Sequence, residues 1–207
     1  VYARSTTILA DPSAIDTGIA YVRDEVWPAI NAIKGCQGLS LLVDRASGKS
    51  ITTTAWATEA ALRDSRAAVM ALRDEGVVRT GSKAPTVEEW EIVSMHRAHE
   101  TRPGSFVRAA WSKLEPAKAD QAIDFYKTML LPEIEREGGF QSASLMVDRA
   151  NGRGVTSVAF DTLGALEASR DQADYLRGRS TQEVDVEFLD VGEFELVLAH
   201  LHVPELV

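Results

Sequence analysis

One cysteine, Cys36, stands in the whole chain of 207 residues, so an internal disulfide is excluded. Long apolar runs are missing too. No stretch approaches the roughly 20 apolar residues that a bilayer-crossing helix needs. The first nine residues lack the charged-then-apolar pattern of a secretory signal. A reducing cytoplasm is the expected home. Positive charge is scarce, with 22 Lys and Arg against 31 Asp and Glu and a net charge of −9. A phosphate backbone wants a basic face, so nucleic acid is not an expected partner. There is no glycine-rich phosphate loop, no Gly-x-Ser-x-Gly elbow and no Cys/His nucleophile pair. His96 and His99 are close in sequence, but two ligands fall short of the three or four a metal site wants. No metal, heme, flavin or nucleotide is expected.

What the chain does have is a repeat. A frame of 104 residues recurs without a gap, and the shift is read directly from Asp44-Arg45 and Asp148-Arg149. Held at that offset, the halves share roughly 29 identities over about 98 pairs. Arg4/Arg108, Pro28/Pro132, Arg66/Arg170, Glu91/Glu195 and His96/His200 all recur. Cys36 faces Phe140 across the repeat, which reads it as a small apolar residue rather than a reactive thiol. The repeats occupy residues 1–98 and 105–207, joined where Arg102-Pro103-Gly104 marks a break.

Each repeat opens with a strand, residues 4–10 and 108–114. Asp11-Pro12 and Glu115-Pro116 then place proline in a first helical turn. Ile15, Ile19, Val22, Val26, Ile30 and Ile33 recur at spacings of three and four, one apolar helical face. The second copy keeps Ile123, Tyr126, Leu130 and Ile134. Pro28 and Pro132 fall inside this pattern and predict a kink or a division. Two strands follow, residues 39–45 and 51–56, joined by a turn in which Gly48 takes a positive φ. Thr58 and Thr162 are N-caps for a second helix. Last strands run over residues 89–97 and 193–201. Before them, residues 79–86 read as a loop and residues 184–191 as a short added strand. The order is βαββαβ, twice, an α+β fold of two ferredoxin-like repeats. One such unit leaves a sheet face bare, so the two should pack sheet to sheet as a barrel inside one chain. A homodimer would then use surfaces outside that seam.

The segment Gly35-x-x-Gly38-Leu39-Ser40-Leu41-Leu42-Val43-Asp44-Arg45, with Thr52 to Trp56 and Thr58-Glu59-Ala60-Ala61-Leu62-Arg63 after it, resembles the dimeric α+β barrel superfamily. A strand ending in Trp before Thr-Glu-x-Ala is similar to its antibiotic biosynthesis monooxygenase branch. The resemblance implies cofactor-independent oxidation of a small aromatic, quinol-type substrate in a dry pocket. It also implies a site built from an Asn on the third strand, the Trp at its end, a Tyr in the second helix and an Arg. Trp56 matches the Trp. Thr52 and Thr156 stand at the Asn position, Leu62 and Leu166 at the Tyr position, and Arg66 or Arg73 at the Arg. The heme-degrading branch places a His in the second helix, and neither second helix here has one.

Residue by residue, each candidate keeps two readings. His96, set by strand alternation on the face of Trp90, Ile92 and Ser94, reads as a general base or as a hydrogen-bonded histidine at a sheet margin. His200 is its counterpart. Arg66 and Arg170 read as an anion clamp or as salt bridges. Asp44 and Asp148 read as turn stabilisers. Trp56, Trp90 and Trp111 read as core or pocket wall. Glu91 and Glu195 read as interior polar groups or as solvated ones. The expected catalytic set is His96, Arg66 and Trp56 in the first repeat, with Thr52, Leu62, Trp90, His200 and Arg170 as ligand contacts. Small Thr7, where the second copy has Trp111, predicts more room in the first. The rival reading is a non-catalytic barrel that binds a small apolar or aromatic ligand or serves a stress response.

Overall fold

A computed structural model describes residues 1–206. The first repeat gives β1 (Tyr2–Leu9), α1 (Ile15–Tyr21), α2 (Trp27–Asn31), β2 (Cys36–Asp44), β3 (Lys49–Trp56), α3 (Glu59–Asp64), α4 (Arg66–Thr80) and β4 (Thr86–Arg97). The second gives β5 (Phe106–Lys113), α5 (Ala119–Phe125), α6 (Leu131–Ile134), β6 (Phe140–Asp148), β7 (Arg153–Phe160), α7 (Leu163–Ala168), α8 (Arg170–Val184) and β8 (Glu187–Leu201). This is the βαββαβ order, twice. One expectation changes: the short strand ahead of the last one is not separate, and β8 runs unbroken for 15 residues. Gly192 is the one interruption in its pattern, and a Cβ there would meet the Phe194 ring at 2.6 Å.

The prolines act as their chemistry requires. Between α1 and α2 the chain widens into a π turn over Val22–Val26, and the Trp27 amide bonds the Val22 carbonyl five residues back. Tyr126–Leu130 repeats this ahead of Pro132, with Leu131 bonding Tyr126. The wide turn absorbs the hydrogen bond that proline cannot donate and the bulk of its ring. In the β2–β3 turn, Asp44 Oδ1 accepts from the Ala46 amide at 2.9 Å. Gly48 sits at φ +77°, and a Cβ there would lie 2.0 Å from the Ala10 carbonyl oxygen, so only glycine fits.

Hydrogen bonding carries the eight strands round a closed antiparallel barrel in the order β1-β3-β2-β8-β5-β7-β6-β4. The α+β barrel expected from the repeat is thus formed within one chain. β4 and β8 change register at the same repeated valine. Ile92 stands opposite Met146 but Ser94 opposite Leu145, so Val93 is extra. Leu196 stands opposite Leu42 but Leu198 opposite Leu41, so Val197 is extra. A bulge of one residue reverses which face every later side chain takes.

Two compact units result, and each crosses the repeat boundary. One comprises Val1–Trp90 with Glu195–Val203; the other comprises Glu91–Phe194 with the residues from Pro204 onward. In the first, Ile15, Tyr21, Ile30, Leu39, Leu41, Trp56, Leu62 and Leu198 form the core between helices and sheet. In the second, Ile123, Tyr126, Leu130, Phe140, Ala143, Leu145 and Leu176 do so. Among the described residues no helix is long and apolar enough to cross a membrane.

A buried guanidinium ties each unit together. Arg4, 3% exposed, donates from Nη1 to Ser65 Oγ at 2.9 Å and from Nη2 to the Leu62 carbonyl at 2.7 Å. Its Nε and Nη2 reach Glu89 Oε1 at 3.0 and 2.8 Å. Arg108 repeats every contact with Ser169, Leu166 and Glu193. Buried Ser65 and Ser169 mark the break between α3 and α4 and between α7 and α8. First strand, second helix and last strand are thereby joined by charge-assisted bonds. Removing the arginine would take a charged partner from a serine, a carbonyl and a carboxylate at once, leaving only the Ser65–Leu62 bond and the exposed Arg66 pair. Arg4→Ala should therefore lower unfolding free energy by about 3 kcal/mol, against about 0.5 kcal/mol for Arg66→Ala at the exposed pair with Glu89, as urea titration would measure.

Candidate functional site

Each unit has a cavity between its helices and its sheet. The first, about 70 Å³, is walled by Thr6, Ile8, Ile15, Ile19, Val22, Thr52, Thr54 and Val69 among others. The second, about 130 Å³, is walled by Arg108, Ala110, Ser112, Ala119, Ile123, Tyr126, Thr156, Ala173 and Leu176 among others. The expectation of more room in the first repeat is corrected. Arg108, Ala110 and Ser112 supply the β5 contribution to the wall, and neighbouring Trp111 turns to the other sheet face, edge-on to Phe194 at 6.3 Å. Thr7 and Trp111 therefore say nothing about cavity size. The pairs that do are Ile8/Ser112, Thr6/Ala110, Ile15/Ala119 and Val69/Ala173, and in each the second repeat has the smaller residue.

Polar groups on the second wall are few. Burial pushes the Tyr126 phenol well above its usual pKa, so it is a neutral hydroxyl at physiological pH. That hydroxyl is buried with no hydrogen-bond partner, and the residue is 3% exposed. In the first unit the buried orphans, Gln37 Oε1 and Ser82 Oγ, stand off the cavity wall. Its tyrosine stands one position earlier on the helix, and Tyr21 Oη donates to the Leu72 carbonyl at 2.8 Å. Val22 occupies the place of Tyr126.

The residues singled out from sequence are dispersed. Thr52 lies on the first cavity wall, and its counterpart Thr156 on the second. Trp56 is fully buried and donates from Nε1 to Thr54 Oγ1 at 3.1 Å. Leu62 is buried and lends its carbonyl to Arg4. Arg66 is exposed and pairs with Glu89 at 3.0 Å. Arg170 does the same with Glu193 at 2.6 Å. Trp90 donates to Ser5 Oγ at 2.9 Å.

His96 belongs to the second unit, not to the unit of Trp56 and Arg66. The bulge at Val93 also takes it off the face of Ile92. Its Nδ1 lies 2.7 Å from Glu205 Oε1, its Nε2 3.4 Å from Glu135 Oε1, and its ring stacks on Phe140. His200 belongs to the first unit and stacks on Trp27 with centroids 4.6 Å apart. Neither histidine stands on a cavity wall. Glu91 and Glu195 pair with Arg149 and Arg45 at the turns. Burial raises the half-buried Cys36 thiol, which disfavours thiolate chemistry. Among the described residues no group of three or more His, Cys, Asp or Glu could hold a metal ion.

Sequence reasoning named Arg108 only as a repeated residue and Tyr126 only as helix periodicity. The usable signal was the one-position slide of tyrosine between the copies, from Tyr21 to Tyr126.

An α+β barrel with helix–sheet cavities is the class that these features define, and the solved structures agree on the fold. A candidate monooxygenase from Fusobacterium nucleatum superposes with a TM-score of 0.68, at 12% identity, covering 95% of this chain and 91% of that one. An anthrone oxidase-like protein gives 0.67, at 15% identity, covering 95% and 92%. A ferredoxin-fold protein related to antibiotic biosynthesis monooxygenases, from Listeria monocytogenes, gives 0.52, at 9% identity, covering 93% and 94%. No family model matches the chain. The chain belongs to the family of the uncharacterised Mycobacterium tuberculosis proteins Rv2557 and Rv2558. It is 53% identical to the first and 50% to the second, over its full length and over 92% and 88% of theirs.

The carboxylate beside Arg108 gives a pH test. Hydrogen bonds from Arg170, then from Arg108, hold the Glu193 carboxyl below its ordinary value of 4.5, against the opposing effect of burial. A lowered folded pKa contributes stability that is complete above 4.5 and is lost as pH falls through the folded value. Glu193→Gln should flatten the loss of stability below 4.5, read as urea midpoints from about pH 7 to about pH 3.

Proposed function

We propose that this protein binds a small aromatic ligand, and that the helix–sheet cavity of the second unit is its site. The reading rests on one observation, an apolar cavity of about 130 Å³ between the helices and the sheet of that unit. Engineered apolar cavities of roughly 150 Å³ stay dry and take up benzene, so the volume suits one ring rather than three. The first unit's 70 Å³ is too small for a ring. Aliphatic side chains supply the contact area and the few polar groups set orientation, as in small-ligand sites generally.

The anthrone oxidase-like neighbour favours a second reading, that the bound ring is a phenol which reacts with oxygen without a cofactor. The ring would gain one oxygen atom and become a quinone, and the other oxygen atom would leave as water. The phenol would supply all the electrons. Trp56, Arg66 and His96 lie off the wall and would not touch it.

Toluene should bind with a Kd of about 0.1–1 mM, as expected for a ligand of its size. Ala173→Val, which restores the first repeat's residue, should abolish binding while leaving the fold intact. Saturation-transfer NMR and calorimetry would measure both. Absence of binding, or binding untouched by Ala173→Val, would refute the assignment. Oxygen uptake with phenols that survives His96→Ala and Arg66→Ala would add catalysis to binding.

A further inference from the structure

We infer that Glu137 is the specificity-determining residue of the second cavity, and that the cavity takes a single aromatic ring carrying an ammonium group on a short arm, the chemistry of benzylamine. This inference rests on the proposed binding site and deepens it.

The local turn sets position 137 against the core. Its counterpart in the first repeat is Ile33, half-buried and packed against the cluster of Ile30 and Leu39. The Ile33 amide donates to the Ile30 carbonyl at 3.0 Å, and the Ile33 carbonyl accepts from the Cys36 amide at 3.1 Å. Glu137 repeats both bonds, donating to the Ile134 carbonyl at 3.1 Å and accepting from the Phe140 amide at 3.2 Å. The second repeat thus has a carboxylate where the first has a branched alkyl group. Glu137 is half-buried, and it stands on the cavity wall with Ile134, Leu145 and Val158.

The carboxylate of Glu137 makes no hydrogen bond or ion pair with any described residue. Its oxygens are not shut off from water, so a ligand group can reach them. A half-buried charge without a partner has lost hydration and recovered nothing, and a cation brought by a ligand restores the balance. The other charged residues of the wall are already engaged. Arg108 pairs with Glu193 at 2.8 Å, and Arg177 pairs with Asp174. Arg153 is not free either. Asp148 accepts from the amides of Ala150 and Asn151 and from Asn151 Nδ2 at 2.6 Å. An anionic ligand would therefore meet the Glu137 carboxylate with no spare cation to offset it. The net charge of −9 on the whole chain favours the approach of a cation as well. A short arm lets the ammonium rest at Glu137 while the ring stays among the apolar side chains.

The test compares benzylamine with benzyl alcohol, its uncharged analogue of the same shape, by calorimetry at neutral pH on the whole chain. Wild type should bind benzylamine about tenfold more tightly, the scale of one charge-assisted hydrogen bond. Glu137→Gln should bring that ratio to about one, and so should Glu137→Ile, which restores the first repeat's residue. Near-UV circular dichroism verifies the fold of both variants. Added salt should narrow the wild-type ratio, because the pair is only half-buried. Ala173→Val should abolish benzylamine binding. Equal binding of the two ligands to wild type would overturn the inference, and so would a preference that persists in Glu137→Gln. Benzylamine binding that survives Ala173→Val would place the amine outside the cavity and overturn it too. If benzylamine does not bind, the inference fails, and toluene on the same sample tells whether the cavity itself still stands as a binding site.

Discussion

Unpaired strand edges are the constraint on which this structure turns. A single βαββαβ repeat leaves β2 and the end of β4 without partners, and exposed backbone donors and acceptors invite uncontrolled pairing. The tandem chain answers with its own strands: β8 pairs with β2, and β4 with β6. Closure removes the edges. It also obliges each last strand to belong to two units, so that residues close in sequence, such as Trp90 and Glu91, fall in different ones. The bulges at Val93 and Val197 accompany this transfer and reset which face the strand presents.

The buried arginines stand at the other side of that arrangement. Arg4 and Arg108 hold the helix break at Ser65 and Ser169 and the start of the last strand through Glu89 and Glu193. Each charge is balanced locally, so neither is spare for a ligand. The exposed arginines one residue beyond the break, Arg66 and Arg170, share the same carboxylates. A motif that reads as an anion clamp is a four-part internal network. Polarity is thereby spent on the scaffold, and the cavity it frames is left almost wholly apolar.

Duplication then allowed the two cavities to differ. Side chains that fill the first, Ile8, Ile15 and Val69, are replaced by Ser112, Ala119 and Ala173 in the second. The element order is the same in both, and these smaller side chains accompany the larger void. One repeat keeps a small, better-filled interior. The other is less fully packed.

The offset of 104 residues and the βαββαβ order were legible in the sequence, because periodicity, proline and glycine act over a few residues of chain. So were the turn role of Asp44 and the salt-bridge reading of Arg66. The site was not. His96 was grouped with Trp56 and Arg66 by its place in the first repeat and set on the face of Ile92 by alternation; the strand crosses into the second unit at Glu91, and a single extra residue, Val93, undid the parity. Thr7 and Trp111 suggested a cavity on the wrong face of the sheet. Burial of Arg4, the orphaning of Tyr126 and the volumes of the two cavities depend on which side chains from distant segments meet. Local chemistry is written along the chain, but a void or an unmade hydrogen bond is a property of what surrounds a group, and only the tertiary structure decides that.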